Sequence, residues 1–258
     1  MSYRKTITDH ILILDIDETL VHTSDDEKAW INMNIYRDSK SIDIRDRMYT
    51  LNIDTTRSNG PSKFMWGSKR PHLNKFLNFC FLYFKAVVVW SAGVYEYVHL
   101  ITEDIFKDTQ EPHVILTRSN CVGNINHLEK PFWKMIHDTP DLTEYINYDL
   151  NKGFKNVFII DDRLSSFAQN PKNGINIPLY DPKDSVNDIR KDDVCLLQLM
   201  NWFSQPDVIN SDDVRTLDKS KIFTTHIIPE YDHLHMATGH QILNKNITFG
   251  KEGIRVSA

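Results

Sequence analysis

Short apolar runs that end in polar residues recur along most of the chain. Residues 10–15 and 86–90 form the clearest of these runs, and residues 113–117 and 156–160 form two more. Uninterrupted apolar runs of this length are typical of strands that are buried in a parallel sheet. They predict four strands, with residues 10–15 as the central one, and a weaker run at 175–179 predicts a fifth.

Between these runs, apolar residues recur with the spacing of a helix that buries one face. The spacing predicts helices over residues 73–84, 94–105 and 196–203. Strands that alternate with helices predict an α/β fold built on a doubly wound parallel sheet of the Rossmann-like kind. Such a sheet binds its ligands beyond the carboxyl ends of its strands, so the chemistry is expected at that edge.

Residues 22–68 have a different pattern. Apolar and polar residues alternate over 31–36 and again over 49–53, as in antiparallel strands. The Asn-Gly-Pro-Ser run at 59–62 predicts a turn before an apolar stretch at 64–66. We therefore expect a small antiparallel β insert after the first strand, separate from the main sheet.

The pattern also suggests a division of the chain. We expect a core over residues 1–204, with the insert at 22–68, followed by a C-terminal extension over 205–258 whose role is unknown. No periodicity assigns a structure to residues beyond about 224, and no repeat or low-complexity tract is visible.

Composition and charge exclude several classes of protein. Hydrophobic residues make up 41% of the 258 positions, which is enough for one substantial core or for a core with an inserted subdomain. The formal net charge is −5 and no run of Lys and Arg forms a basic patch. We therefore expect no direct binding to nucleic acid.

The cysteines and the most apolar segments bear on location. Cys80, Cys121 and Cys195 lie far apart without CxxC spacing, which argues against a disulfide framework and a cysteine-rich zinc site. The N-terminus has no long apolar stretch, and the most apolar region, residues 76–90, is interrupted by polar residues. We expect a soluble intracellular protein, nuclear or cytoplasmic, with no membrane partner; the oligomeric state is not predicted.

Two carboxylates follow the first apolar run. Asp15 and Asp17 are two residues apart, so their side chains project to the same side of an extended chain and can share a cation. Such a pair is common by chance in a chain with 35 acidic residues, and its place at a strand end is what favours a functional site. Thr19 follows closely, where its hydroxyl can steady the turn.

Other polar groups are predicted at the same edge of the sheet. Ser91 directly follows the strand at 86–90, where its hydroxyl can bind a phosphate oxygen or cap the next helix. Asp161 and Asp162 end the strand at 156–160. Several carboxylates together with a phosphate favour Mg²⁺ as the metal.

A lysine completes the set of candidate groups. Lys130 precedes the strand at 156–160, with Lys134 and Lys155 as alternatives. Hydrolysis of a phosphate monoester requires a nucleophile, a proton shuttle, a cation and fixed hydrogen-bond donors. The chain offers a candidate for each.

Four segments carry a family resemblance. They are residues 15–22 (DIDETLVH), residues 69–91 with an Arg-Pro start and a closing hydroxyl, residues 128–131 (LEKP) and residues 157–163 (VFIIDDR). In order and approximate spacing they resemble the motifs of the haloacid dehalogenase (HAD) superfamily. Within it, they resemble the FCP/SCP-type, NLI-interacting-factor-like phosphatases that act on the C-terminal domain (CTD) of RNA polymerase II.

The resemblance implies a role for each acidic residue. Asp15 would be the nucleophile, and Asp17 would be the general acid and base, which also ligates magnesium through its backbone carbonyl. Asp162, supported by Asp161, would complete a Mg²⁺ site with Asp15 and Asp17.

The resemblance also implies how the phosphoryl group is held. Ser91 would bind it, while Lys130 would neutralise it and orient Asp15. The family commonly has Thr where this chain has Ser91, and the hydroxyl is retained. About fifty residues at the C-terminus have no counterpart that can be matched to the family.

The implied activity is magnesium-dependent hydrolysis of phosphoserine or phosphothreonine in proteins through an aspartyl-phosphate intermediate. A phosphoprotein, of the RNA polymerase II CTD type, is the expected partner and substrate. Two alternatives remain open: a HAD phosphatase that acts on a small metabolite or a nucleic-acid end, and a catalytically silent phosphopeptide-binding module. The presence of both Asp15 and Asp17 weighs against the silent module.

Residues outside the acidic motifs are candidates for substrate binding. The aromatic residues Trp30, Tyr49 and Trp66 of the insert are expected to grip an extended peptide, or else to form the insert's own small core. Arg118 can contact the substrate or form a surface salt bridge. Thr19, within the first motif, is a further candidate.

Overall fold

The computed structural model describes residues 6–54, 62–144 and 153–224, together with two short strands near the C-terminus. The strands are β1 (Ile11–Leu14), β2 (Val21–Ser24), β3 (Met48–Ile53), β4 (Lys63–Lys69), β5 (Ala86–Trp90), β6 (Val114–Leu116), β7 (Val122–Asn124), β8 (His127–Glu129), β9 (Val157–Asp161), β10 (Gly174–Asn176), β11 (Ile247–Gly250) and β12 (Gly253–Val256). The helices are α1 (Glu27–Met33), α2 (Leu73–Tyr83), α3 (Tyr95–Phe106), α4 (Phe132–Asp138), α5 (Val186–Arg190), α6 (Cys195–Phe203) and α7 (Pro206–Ile209).

The main sheet is parallel and has the order β10-β9-β1-β5-β6. β1 lies at its centre, paired with β5 on one side and β9 on the other. Its four residues are completely buried, because alternate side chains enter cores on opposite faces of the sheet. Leu12 and Leu14 face the larger core, while Ile11 and Ile13 face the smaller one. This two-sided burial explains the uninterrupted apolar runs and confirms the predicted fold class.

The helices predicted between the strands are present. Apolar side chains of α2, α3 and α6 pack in the larger core, and Phe132 and Met135 of α4 pack in the smaller one. Beyond residue 204, Val208, Val214 and Ile222 also enter the larger core. None of the described helices combines the length and the apolar character that a membrane crossing requires.

The insert forms its own antiparallel sheet with the order β2-β4-β3. The prediction of strands at 49–53 and 64–66 is confirmed by β3 and β4, whereas the strand predicted over 31–36 is wrong. Asp26 caps α1 there, since its side chain accepts hydrogen bonds from the amides of Lys28 and Ala29. The helix ends at Asn34 in a left-handed conformation, with φ of 49°. The predicted turn at 59–62 lies mostly outside the described residues.

The burial of residues 31–36 explains why the strand predicted there is wrong. Ile35 is buried in the insert's small core, but Ile31 is 65% exposed, so the apolar and polar alternation does not mark the two faces of a strand. The strand that the pattern missed is β2, which begins within the last two residues of the first motif and pairs with β4. β11 and β12 pair antiparallel to each other.

Candidate active site

The register of the main sheet brings three predicted site residues to one edge. Leu14 of β1 is opposite Val89 of β5 and Ile160 of β9. The following residues therefore come level, and Asp15 lies beside Asp161 with Ser91 one residue beyond the end of β5. The Asp15 amide donates to the Ile160 carbonyl at 3.0 Å, which extends the pairing up to the site.

Asp15 is buried and held at both carboxylate oxygens. The Thr19 hydroxyl donates to Oδ2 at 3.1 Å, and the Lys130 ammonium donates to Oδ1 at 2.5 Å. The turn after β1 places Thr19 there, because the amides of residues 19–21 donate to the Ile16 carbonyl. Burial and the charge of Asp161 raise the pKa of Asp15. Contact with Lys130 lowers this pKa but offsets only part of the increase.

Lys130 bridges two carboxylates. Besides Asp15, its ammonium donates to Oδ2 of Asp161 at 2.6 Å, and the side chain is only 2% exposed. Burial alone would lower the pKa of Lys130, but Asp15 and Asp161 raise it above its usual range. Lys134 instead pairs with Asp138 at 2.9 Å, and Lys155 precedes β9 at the opposite end of the strand. The structure therefore brings Lys130, rather than either alternative, to the site.

The acidic pair at the end of β9 can complete a metal site. Asp161 accepts the Arg163 amide at 2.9 Å on the oxygen that does not face Lys130. Burial and the charge of Asp161 raise the pKa of Asp162 to about 6. Oxygen atoms of Asp15, Asp161 and Asp162 lie within 4.8 Å of one another. An all-carboxylate set with one bridging lysine has excess negative charge and hard oxygen donors, which fits Mg²⁺.

Asp17 lies at the centre of a group of hydroxyls. Tyr97 and Thr23 donate to its Oδ1, Thr23 at 3.4 Å, and Ser91 donates to its Oδ2 at 3.5 Å. Burial raises the pKa of Asp17, and the Tyr97 hydrogen bond opposes this shift. Neither Tyr97 nor Thr23 was predicted as a site residue. The apolar periodicity assigned Tyr97 to the buried face of its helix, and a periodicity cannot show where a hydroxyl points.

Ser91 is fully buried and closes the turn between β5 and α3. Its hydroxyl accepts the Gly93 amide at 2.9 Å, while Val94 takes the N-cap position of α3. Ser91 is therefore not the helix N-cap, and its hydroxyl faces Asp17. An added side chain at Gly93 would come within 2.8 Å of Tyr97, so this turn requires glycine.

Buried Arg70, from the second motif, fixes the turn that carries the nucleophile. Its guanidinium donates to the Thr19 carbonyl at 3.0 Å and to the Pro178 carbonyl at 2.8 Å. It also forms a bidentate pair with Asp193, at 3.0 and 2.8 Å. Arg70 thus ties the first motif to the segment that precedes α6.

The site opens into a cleft of about 540 Å³. The insert contributes Ile53, Lys63 and Met65 to its wall, and the core contributes Val94 and Arg118 on the other side. Arg118 is exposed, and its Nε donates to the Ala92 carbonyl at 2.7 Å, so the predicted surface salt bridge is not the contact that the structure shows.

The three aromatic residues of the insert that were candidates for substrate binding pack against other side chains of the protein. Trp66 is fully buried and donates to the Asp26 carbonyl at 2.9 Å, and Trp30 stacks on it at 5.7 Å. Tyr49 is also buried, and its hydroxyl lies 2.6 Å from Thr23. In the described structure these three rings are not among the residues that line the cleft, which favours a packing role over contact with the substrate. Trp66 and Trp30 pack in the insert's own small core, whereas Tyr49 packs in the larger core of the protein.

Solved structures with a similar fold exist. A fission yeast RNA polymerase II CTD phosphatase, Fcp1, bound to beryllium fluoride, is 20% identical, with a TM-score of 0.51 over 67% of this chain and 42% of that one. Another structure of Fcp1, described as an essential RNA polymerase II CTD phosphatase, is 21% identical, with a TM-score of 0.50 over 66% and 42%. At this sequence identity the likeness establishes the fold alone. The match spans less than half the length of either Fcp1 chain.

A comparison with curated proteins gives no match. The family model described as NLI interacting factor-like phosphatase matches residues 10–215, which contain all four motifs and every element of the main sheet. The resemblance seen in the motifs is therefore confirmed, and the chain belongs to the NLI interacting factor-like phosphatases, the FCP/SCP type of the HAD superfamily.

Proposed function

We propose that this chain is a magnesium-dependent phosphatase for phosphoserine or phosphothreonine in proteins and that Asp15 is its nucleophile. The observation that carries the proposal is the fixed carboxylate of Asp15. It stands at the carboxyl edge of the sheet with Lys130 on one oxygen and Thr19 on the other, and it faces an open cleft. A nucleophile held in this way is oriented before the substrate arrives.

The first chemical step transfers the phosphoryl group to Asp15. A carboxylate oxygen of Asp15 attacks phosphorus, the bond to the seryl oxygen breaks, and Asp17 gives its proton to that oxygen. The Lys130 ammonium balances negative charge on the phosphoryl oxygens, and the Ser91 hydroxyl donates a hydrogen bond to one of them. This step leaves an acyl phosphate on Asp15 and an ionised Asp17.

The second step restores the enzyme. Asp17 takes a proton from water, whose oxygen attacks phosphorus, and the bond to Asp15 breaks to release inorganic phosphate. Magnesium, when bound by Asp15, Asp162 and the Asp17 carbonyl with support from Asp161, would neutralise charge on the phosphoryl oxygens. The chain's own groups supply the nucleophile, the proton transfers and the orientation.

The substrate we propose is an extended phosphoserine peptide of the RNA polymerase II CTD type. Ile53, Met65 and Val94 give the cleft an apolar wall. Arg118 and Lys63, which pairs with Asp25 at 2.7 Å, add cationic groups. An apolar wall with basic groups suits a peptide that has a proline beside its phosphoserine. The two Fcp1 proteins with the same fold are described as phosphatases of that domain.

The test is a turnover screen in the presence of Mg²⁺. It compares Ser-Pro phosphopeptides, free phosphoserine, phosphorylated metabolites and oligonucleotides with terminal phosphates, each with wild type and Asp15→Asn. We expect the phosphopeptides to have the highest kcat/KM and the variant to be inactive on all of them. Equal turnover of peptide and free phosphoserine would contradict the peptide substrate, and an active Asp15→Asn would contradict the nucleophile.

A further inference from the structure

Three hydroxyls from different elements form a linked group beside Asp17. Thr23 comes from β2, Tyr49 from β3 and Tyr97 from α3, so the insert and the core both contribute. The Thr23 hydroxyl lies 2.6 Å from that of Tyr49 and 2.7 Å from that of Tyr97. Tyr97 in turn donates to Oδ1 of Asp17, and the Thr23 oxygen lies 3.4 Å from the same atom. We call these three residues the hydroxyl network.

The insert is shaped to let Tyr49 reach Thr23. Gly67 of β4 is opposite both Thr23 and Tyr49, so β4 separates the two residues. A side chain at Gly67 would come within 2.2 Å of the Tyr49 hydroxyl and of the His22 carbonyl. Because glycine leaves this space empty, the Tyr49 ring crosses the middle strand and delivers its hydroxyl to Thr23.

The short contacts permit one consistent chain of donors. Each hydroxyl has a single proton and can also accept a hydrogen bond. Tyr49 can donate to Thr23, Thr23 to Tyr97, and Tyr97 to the Asp17 carboxylate. This chain of donors supplies a proton to each of the three shortest contacts, so Tyr97 is the hydroxyl that donates to Oδ1 of Asp17. The longer contacts, from Tyr49 to the His22 carbonyl at 3.1 Å and from Thr23 to Oδ1 at 3.4 Å, then lack a proton of their own.

The two oxygens of Asp17 therefore differ. Oδ1 accepts from Tyr97, which is itself held by Thr23, whereas the described contact of Oδ2 is the long one to Ser91, at 3.5 Å. Ser91 also stands where the phosphoryl group would bind. Oδ2 is thus the oxygen that faces the reacting group and that is open to carry the transferable proton.

We propose that the hydroxyl network of Thr23, Tyr49 and Tyr97 holds Oδ1 of Asp17 and so aims Oδ2 at the oxygen of the leaving group. Tyr97 and Thr23 are positioning residues that act through Asp17, and Tyr49 acts through Thr23. This proposal rests on the proposed function of Asp17 as general acid. It also gives the insert a part in catalysis in addition to its place in the cleft wall.

The experiment measures how kcat/KM depends on the leaving group. kcat/KM reports the steps up to departure of the alcohol or phenol, so slow hydrolysis of the acyl phosphate does not mask the effect. A series of aryl phosphates from good to poor leaving groups is compared with a phosphoserine peptide. Poor leaving groups require a well-placed acid, whereas good ones leave without it.

We expect Tyr97→Phe and Thr23→Val to lower kcat/KM for the phosphoserine peptide by about 10- to 100-fold, as misplaced catalytic groups do. For the best aryl leaving group the loss should be no more than about threefold, since protonation contributes little there. Tyr49→Phe should show the same trend more weakly, and Thr23→Ser, which keeps the hydroxyl, should restore most of the activity.

The matched control is Tyr83→Phe. Tyr83 is a buried tyrosine of α2 whose hydroxyl has no hydrogen-bond partner among the described residues. Its loss should not change the leaving-group dependence. If Tyr97→Phe unfolds the protein, Thr23→Val and Thr23→Ser still decide the question, and circular dichroism identifies folded variants.

The outcomes separate this proposal from the one on which it rests. If Asp17→Asn leaves the leaving-group dependence unchanged, Asp17 is not the general acid. Both the proposed role of Asp17 and the proposed role of the hydroxyl network are then contradicted. If Asp17→Asn steepens the dependence but neither Tyr97→Phe nor Thr23→Val does, only the network is contradicted. A loss of equal size for all leaving groups would likewise contradict positioning of the acid.

Discussion

The ammonium of Lys130 lies 2.5 Å from Oδ1 of Asp15, and the two side chains are only 2% and 8% exposed. The same ammonium contacts Asp161, so one cation holds carboxylates from two neighbouring strands. Removing one partner from a buried ion group leaves the remaining charges uncompensated. This contact therefore serves both the orientation of Asp15 and the integrity of the sheet edge.

We expect Lys130→Met to abolish turnover and to lower the free energy of unfolding by about 3–5 kcal/mol, because two buried carboxylates lose their cation. Urea denaturation and phosphopeptide turnover measure the two effects. Lys134→Met is the matched control, since Lys134 pairs with Asp138 within helix α4 and not with Asp15. Full activity in Lys130→Met would remove this lysine from the mechanism.

The metal requirement is tested at the end of β9. Chelation of Mg²⁺ should stop turnover, and added Mg²⁺ should restore it. Asp162→Asn should raise the Mg²⁺ concentration for half-maximal rate by at least about tenfold, because an amide oxygen is a weaker ligand than a carboxylate. Asp212→Asn, at an exposed carboxylate, should leave it unchanged. A rate that survives exhaustive chelation would contradict the metal-dependent mechanism.

Much of this site could be predicted from the sequence because its residues directly follow buried strands. β1, β5 and β9 are apolar throughout, and parallel strands in register bring the residues after them together. Asp15, Ser91 and Asp161 are placed by that rule alone. The fold class follows from the same alternation.

The insert was harder to predict because its few buried residues leave a weak pattern. Helix α1 is capped by the side chain of Asp26, and apolar periodicity does not reveal a capping bond. Trp66 and Tyr49 are aromatic residues beside a cleft, and only the structure shows that Trp66 is sealed from it. Tyr97 was found through a hydroxyl contact that no periodicity encodes.

The insert should govern substrate choice through Met65 rather than Trp66. Met65 lines the cleft, so Met65→Ala should lower the kcat/KM ratio of phosphopeptide to free phosphoserine by about tenfold, the order expected for lost apolar contact with a substrate. Trp66→Phe should lower stability, because the Asp26 carbonyl loses its donor, yet leave that ratio unchanged. An unchanged ratio in Met65→Ala would contradict a peptide-binding role for this wall.

His22 links the insert to the segment after β10, and its titration should affect stability. Burial lowers the pKa of His22, but Glu18 at 3.0 Å, with Asp181 and Asp184 at 3.7 Å, outweighs burial and raises the pKa above its usual value. A raised pKa in the folded state means that the stabilisation is fully present below the unfolded-state pKa of about 6.5. It is lost as the pH rises through the higher folded-state value.

We therefore expect the urea midpoint of the wild type to fall as the pH is raised from about 6 to 8. The midpoint of His22→Asn should change less over that window. His99→Asn provides the comparison at a histidine on α3, whose ring packs against that of exposed Tyr95. Parallel pH profiles for wild type and His22→Asn would show that the carboxylates do not hold a charged imidazole.

The central claim is that Asp15 carries the phosphoryl group, and the most direct measurement is to trap that intermediate. Wild-type protein is mixed with excess phosphopeptide and Mg²⁺, quenched in acid within the first turnover, digested and analysed by mass spectrometry. The account predicts one added phosphoryl group on the peptide that contains residue 15, located at Asp15 and absent in Asp15→Asn. An active wild type that shows no phosphoryl group on Asp15 at any time in the first turnover, or one on another residue, would contradict it.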